Sequence, residues 1–100
     1  MKGMVININM DLQELRKNID EIDNNLIQLF QQRMDISADI AKYKQQNNLP
    51  VYDPVREQAI LNKLSLKVNA EHKSSIIALY SLLFELSRKR QEQILNPEVI

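Results

Sequence analysis

The fold is decided by one uninterrupted stretch, residues 11–46, with the sequence DLQELRKNIDEIDNNLIQLFQQRMDISADIAKYKQQ. Apolar side chains recur in it at steps that alternate between four and three residues, the heptad spacing of a helix buried along one stripe. Neither proline nor glycine interrupts the stretch. It therefore predicts a single long amphipathic helix, whose apolar stripe we name the seam. The seam positions are Leu15, Ile19, Ile22, Leu26, Leu29, Arg33, Ile36, Ile40 and Tyr43.

One seam position holds a charge. Arg33 lies between Leu29 and Ile36, one turn away on either side. A buried guanidinium group is unfavourable by several kcal/mol unless an anion sits against it. The pattern leaves two interpretations open: an anion-binding site at Arg33, or a charge that only sets the register or oligomeric state of packed helices.

Composition predicts a single all-α domain over residues 1–100. Hydrophobic residues make up 44% and charged residues 26%, with one glycine and three prolines, which is too apolar for disorder. Thirteen basic residues balance thirteen acidic ones, so no global field would attract nucleic acid. The absence of cysteine and the single histidine argue against disulfides and a zinc site and suit the cytoplasm. No apolar run approaches the roughly 20 residues that cross a membrane.

Local signals set the ends of the first helix. Asp11 is a good N-cap, and Glu14 three residues later completes a capping box. Asn47 and Asn48, shortly before Pro50, disfavour helix beyond Gln46. Residues 1–10 are expected to form a flexible arm ahead of this helix.

Two further helices follow. The second is predicted to start at Asp53-Pro54, an N-cap followed by proline at the first helical position, and to run to about Val68. The third begins between residues 69 and 74 and is stopped by Asn96-Pro97. Residues 96–100 are then a tail or the start of a linker.

The length of the first helix predicts a dimer. At 1.5 Å per residue it spans about 50 Å, whereas a compact domain of this size has a radius of gyration of only about 13 Å. The second and third helices, laid end to end, would cover only one of its sides. A second copy of the long helix would cover the other, so we predict an obligate, two-fold symmetric, intertwined homodimer.

Polar side chains intrude on the apolar faces of all three predicted helices. At about 100° per residue, Arg33 and Lys44 share one face, whereas Arg16 points about 100° away and would reach the partner's pocket in a dimer. A cation-rich set of this kind suits a small dianion that also carries a hydroxyl group, because Arg matches carboxylates in bidentate fashion and Lys acts as a point charge. The apolar faces supply six members of the set, and the cap of the second helix and the neighbouring chain add one each: Arg33, Lys44, Arg56, Glu57, Ser87 and Gln91, then Asp53 and Arg16.

Each member also has an ordinary structural interpretation. Lys44 lies near a helix C-terminus, where a cation is favourable anyway. Arg56 and Glu57 could be a solvated pair in the first turn, Ser87 and Gln91 could be tolerated at the edge of the core, and the basic run 87–90 is expected to be mostly an exposed face. The co-occurrence of so many polar groups on apolar faces favours a site. Without a Ser-His-Asp set, a Cys nucleophile or a metal cluster in the sequence, chemistry would have to work by positioning and fixed electrostatics.

Several motifs together resemble the all-α (AroQ) class of chorismate mutases over about residues 12–93. They are Leu15-Arg16 with Ile19, Ile22 and Asp23, the segment Gln32-Arg33-Met34, the segment Ala41-Lys42-Tyr43-Lys44, the run from Pro50 to Glu57, and Ser87 with Gln91.

The resemblance implies a role for each candidate residue. Arg33 and, from the other chain, Arg16 would hold the substrate carboxylates, with Ser87 assisting. Lys44 and Gln91 would donate hydrogen bonds to the ether oxygen whose bond to the ring breaks. Glu57 would take the ring hydroxyl, and Asp53 and Arg56 would support that end of the pocket. Gln rather than Glu at position 91 implies activity near neutral pH, since a Glu there must be protonated to donate.

The implied reaction is the pericyclic rearrangement of chorismate to prephenate, a step toward Phe and Tyr. It needs neither a cofactor nor a metal. The alternatives are an isochorismate-pyruvate lyase on the same scaffold and a non-catalytic helical module for dimerisation or ligand sensing. The Asp53, Arg56 and Glu57 set favours the mutase over the lyase. Both a free-standing enzyme and the mutase part of a longer bifunctional chain are compatible with the sequence.

Overall fold

The computed structural model describes residues 11–99, and the side chains of residues 11–98. These residues form three α-helices: α1, Leu12–Gln46; α2, Pro54–Lys67; and α3, Lys73–Leu95. Short 3₁₀ turns at Ala70–His72 and Pro97–Val99 flank α3. The predicted all-α fold with three helices is confirmed, whereas the arm predicted at residues 1–10 lies outside the described residues. Among the helices described, none is long and apolar enough to cross a membrane.

The ends of α1 follow from its capping residues. The Asp11 carboxylate accepts a hydrogen bond from the backbone N–H of Glu14 at 2.8 Å, which satisfies one donor of the first turn. At the other end Asn48 takes a positive φ of 55°, and the N–H of Leu49 donates to the carbonyl of Lys44 at 2.8 Å. This is a Schellman closure with Asn in the left-handed position that usually takes glycine.

The second and third helices lie side by side and antiparallel. The Asp53 carboxylate caps α2 by accepting from the N–H of Arg56 at 3.0 Å, and α2 ends at Lys67, with Val68 as its C-cap residue. Five residues later α3 begins, and Arg88 near its far end contacts Glu57 in the first turn of α2. The two helices therefore do not lie end to end, the layout used above to estimate how much of α1 they could cover. The short connection makes them a helical hairpin, because helices joined by so few residues pack as antiparallel neighbours.

The chain divides into two compact units, one ending at Gln32 and one beginning at Arg33. In the N-terminal unit the described residues after the N-cap Asp11 belong to α1, and their large apolar side chains are exposed, Leu29 by 60% and Ile19 by 55%. Within this one chain the seam is therefore not buried there. The exposed residues of this face, which we name the N-terminal apolar face, are Leu12, Leu15, Ile19, Ile22, Leu26, Ile27, Leu29 and Phe30.

In the C-terminal unit α1 buries a different stripe from the seam. Ser37, Ala38 and Ala41 are buried, whereas the seam residues Ile36 and Tyr43 are exposed. Burial of the seam was expected to involve the second chain of the predicted dimer, so it stays a prediction. Ser37 on this stripe contacts Ser87 on α3, with 2.7 Å between the two Oγ atoms. A bulky residue at Ala41, which has no exposed surface, would meet atoms already in place.

Candidate functional site

A pocket of about 480 Å³ opens in the C-terminal unit, lined by residues from all three helices and from the loop before α2. Its apolar wall includes Ile36, Ile40, Ile60 and Phe84. Seven of the eight side chains predicted from the sequence contribute to its lining. They are Arg33, Lys44, Asp53, Arg56, Glu57, Ser87 and Gln91.

Arg33 is held at one side of this pocket by aromatic rings. It is half-buried, and its guanidinium carbon lies 5.9 Å from the ring centres of both Tyr80 and Phe84 on α3. The negative faces of such rings attract a cation. No salt bridge to Arg33 is found within residues 11–98, so its donors are available to a carboxylate.

Lys44 and Gln91 form the polar centre of the pocket. The Lys44 ammonium donates to the carbonyl oxygen of Val51 at 2.7 Å and to Oε1 of Gln91 at 3.1 Å. Gln91 is 5% exposed. Because its oxygen accepts from Lys44, its Nε2 group is the donor end, and its contact with Ser87 Oγ is a long one of 3.5 Å. An ammonium and an amide N–H are therefore close neighbours in one pocket.

A serine that the sequence analysis did not single out supports this centre. Ser37, 3% exposed, lies one turn after Arg33 and donates to its carbonyl oxygen at 3.0 Å. Its Oγ also lies 2.7 Å from Ser87 Oγ on α3. The spacing of Arg33, Ser37, Ala41 and Lys44 puts them on one helical face, which is the signal that could have identified Ser37.

The start of α2 brings one carboxylate to the other end of the pocket and uses a second as a cap. Asp53 is engaged in capping Arg56, and the Arg56 side chain is exposed at the rim. Glu57 is half-buried and accepts a hydrogen bond from the guanidinium group of Arg88. The residues predicted to share this end are therefore adjacent, and Arg88 joins them.

Arg88 is the main residue that sequence reasoning missed. The expectation that the basic run 87–90 is an exposed face is wrong for Arg88, whose side chain is 30% exposed and forms a salt bridge with Glu57. Its guanidinium carbon also lies 5.1 Å from the ring centre of Tyr52. The hydrogen bond to the Glu57 carboxylate raises the pKa of Arg88 further above its already high ordinary value, although burial opposes the rise. The missed signal is its position one turn after the buried Phe84.

Arg16 lies in the N-terminal unit, where it is exposed on α1. It is not among the residues that line the pocket of the C-terminal unit. Its predicted role, which depends on a second chain, stays a prediction.

The charges around the pocket favour a small anion with two negative charges. Four cations and two carboxylates line it, an excess of two positive charges at neutral pH. Among the described residues, no group of three or more His, Asp or Glu side chains could hold a metal ion. The arrangement can clamp carboxylates, donate hydrogen bonds to a developing oxyanion and accept one from a hydroxyl group.

The fold and this pocket define a class of small all-α proteins whose helices line one pocket with cations and an amide. Comparison with known proteins identifies the family within that class. The chain belongs to the chorismate mutase type II family, whose family model matches residues 15–92.

Individual relatives agree with this assignment. The chain is 36% identical over 88 residues to a chorismate mutase from Methanocaldococcus jannaschii, a match that covers 85% of this chain and 88% of that protein. It is also 36% identical over 88 residues to a bifunctional chorismate mutase/prephenate dehydratase from Buchnera aphidicola, of which the match covers 23%. Among solved structures, a conserved hypothetical protein from Pyrococcus furiosus is similar with a TM-score of 0.67 and 32% identity, over 80% of this chain and 93% of that one.

These matches confirm the family resemblance and the predicted activity, an isomerase that acts on chorismate. The homodimer, the cytoplasmic location and the roles of individual site residues are not tested by them and stay predictions.

Proposed function

We propose that the pocket of the C-terminal unit is where chorismate rearranges to prephenate, and that a second chain completes it. The contact of Lys44 with Gln91, 3.1 Å from ammonium to amide oxygen, carries this proposal. It brings a cation and an amide donor together in a pocket whose excess of two positive charges matches a dicarboxylate.

Binding would fold the substrate into its reactive shape. Arg33, braced by the Tyr80 and Phe84 rings, would grip one carboxylate in bidentate fashion, and Ser87 would assist. The apolar wall of Ile36, Ile40 and Phe84 would press the flexible enolpyruvyl arm over the ring. Holding two reacting ends of one molecule together removes much of the entropic part of the barrier.

Stabilisation of the charge that develops in the transition state would lower the barrier further. As the bond between the ring and the ether oxygen breaks, negative charge grows on that oxygen. Lys44 and the Nε2 group of Gln91 would donate to it, and the loss of one such donor typically costs roughly 3–4 kcal/mol of transition-state stabilisation. Because the Gln91 amide is neutral, it donates without first taking up a proton, so turnover should be efficient near neutral pH.

Glu57 would accept a hydrogen bond from the ring hydroxyl at the other end of the substrate. Asp53 supports this end indirectly, because it caps the helix turn that carries Arg56 and Glu57. Arg56 at the rim would add its charge to the attraction of the dianion.

The second chain enters the proposal through α1. Eight large apolar side chains of the N-terminal apolar face are at least 40% exposed, and five of them, the seam positions from Leu15 to Leu29, follow the heptad spacing of packed helices. An exposed apolar patch of this extent is typical of an interface. A two-fold partner would cover this face with the same face of its own α1, and its Arg16 would hold the remaining substrate carboxylate.

The test is to mix the purified protein with chorismate and follow the loss of its ultraviolet absorbance, with identification of the product. Formation of prephenate supports the proposal. Release of pyruvate from isochorismate, with no turnover of chorismate, would favour a lyase. Unchanged substrate at micromolar protein would favour a non-catalytic module and contradict the mutase.

A further inference from the structure

Four charged residues lie close together at the end of the pocket where Glu57 would meet the ring hydroxyl. One of them, Arg88, has no role in the reaction as described above. Glu57, Arg56 and Asp53 come from the start of α2 and its cap, whereas Arg88 comes from α3. Arg88 lines the pocket and donates to the Glu57 carboxylate. We propose that Arg88 determines specificity by neutralising Glu57, so that the pocket accepts a substrate with a neutral ring hydroxyl and rejects one with a ring ammonium group. This inference rests on the proposed function.

The geometry holds Arg88 in place from two sides. Its guanidinium group donates to Oε2 of Glu57, and its guanidinium carbon lies over the Tyr52 ring, 5.1 Å from the ring centre. Glu57 and Arg88 side chains are only 22% and 30% exposed, so solvent screens this pair less than it screens a surface ion pair. No hydrogen bond from a described residue reaches the second oxygen of Glu57, Oε1, which leaves it free to accept from a ligand.

The charge of the pair decides which ligand is favoured. A carboxylate that shares a guanidinium group can still accept a hydrogen bond from a hydroxyl donor. An incoming ammonium group, in contrast, would be attracted by Glu57 and repelled by Arg88 and by Arg56 at the same end. Like charges that face each other in this way are an effective means of rejecting a competing ligand.

The same residue also affects the dianion as a whole. With Arg88 present the pocket carries an excess of two positive charges, and with a neutral residue in its place the excess falls to one. Substitution of Arg88 should therefore lower kcat/KM for chorismate and strengthen the binding of an amine analogue. If Arg88 only tied α2 to α3, its substitution would change the affinity for both ligands in the same direction.

The experiment compares two ligands on four variants of the full chain. The ligands are chorismate, measured by kcat and KM, and 4-amino-4-deoxychorismate, in which an ammonium group replaces the ring hydroxyl, measured by its inhibition constant against chorismate. The variants are Arg88→Met, Arg88→Lys, the double variant Glu57→Gln/Arg88→Met, and the control Lys89→Met, an exposed cation one residue further along α3. Thermal unfolding is measured for each variant in parallel.

We expect Arg88→Met to lower kcat/KM for chorismate about tenfold and to tighten binding of the amine analogue about tenfold, as for a partly screened charge pair. Arg88→Lys should restore the wild-type preference. The tightening should disappear in the double variant, because it depends on the free Glu57 carboxylate. Lys89→Met should resemble the wild type.

Two results would overturn the inference while leaving the mutase activity intact. One is an active wild-type enzyme whose Arg88→Met variant has the same preference for chorismate over the amine analogue as the wild type. The other is a tightening that persists without Glu57. A wild-type protein that does not turn over chorismate would overturn the proposed function and this inference with it. A variant that unfolds is replaced in the comparison by Arg88→Gln, which keeps polar packing without the charge.

Discussion

The two halves of α1 use different side chains for different purposes. In the C-terminal unit the helix buries Ser37, Ala38 and Ala41 against its own chain, and in the N-terminal unit it exposes eight large apolar residues. Small residues permit close packing, whereas large ones left exposed require a partner. A single helix can thus build a polar site at one end and present an association surface at the other.

Loss of the Lys44 charge, at the end of α1 that builds the site, should have the largest effect on activity. In Lys44→Met we expect kcat/KM to fall roughly 10³-fold, because one donor to the developing oxyanion is gone, with no change in oligomeric state. Steady-state kinetics and light scattering measure the two properties. The control is Lys42→Met, an exposed cation on the same helix. A Lys44→Met enzyme within tenfold of the wild type would exclude Lys44 from the chemistry.

A charge placed in the N-terminal apolar face should separate the chains. We expect Ile22→Asp to convert a dimer into a monomer and to lower activity about 10²-fold, since an unpaired carboxylate in an apolar interface is strongly unfavourable. Size-exclusion chromatography with light scattering gives the mass. Asn25→Asp, which adds the same charge at an exposed polar position of α1, serves as the control. A wild-type protein that is already monomeric at micromolar concentration would contradict the proposed interface.

Mixing two inactive variants tests whether Arg16 of one chain and Arg33 of the other act in the same site. Arg16→Ala and Arg33→Ala should each be nearly inactive alone. In a re-equilibrated equimolar mixture, half of the dimers are mixed, and one of their two sites is intact, so about a quarter of the wild-type activity should return. No recovery in a mixture that demonstrably exchanges chains would show that Arg16 acts in its own chain or not at all.

The smallest effect is expected at Ser37. Ser37→Ala removes its contacts with Ser87 and the Arg33 carbonyl, and a typical hydrogen bond contributes about 1 kcal/mol. We expect kcat/KM to fall about fivefold with a slightly lower melting temperature. Ser81→Ala is a matched control, since this exposed serine on α3 likewise donates to a carbonyl one turn back but, among the described side chains, has no contact like that of Ser37 with Ser87. An effect as large as that of Lys44→Met would instead assign Ser37 a direct part in substrate binding.

Helix type and helix ends were predictable from the sequence because their causes are local. Asp11 and Asp53 cap helices through contacts only three residues away, and Asn48 ends α1 by adopting the left-handed conformation itself. The stripe spacing likewise put Arg33 and Lys44 on one face and identified the other candidate residues, whereas their individual roles came only from the family resemblance.

Other features depend on which faces meet, and only the tertiary structure decided them. Ser37 and Ser87 are 50 residues apart in the chain, and Glu57 and Arg88 are 31 apart, so no local pattern pairs them. Periodicity marks every apolar stripe but does not say which one the chain buries against itself. Here the chain buries the stripe of small residues, Ser37, Ala38 and Ala41, rather than the seam, and the antiparallel arrangement of α2 and α3 brings Arg88 to Glu57.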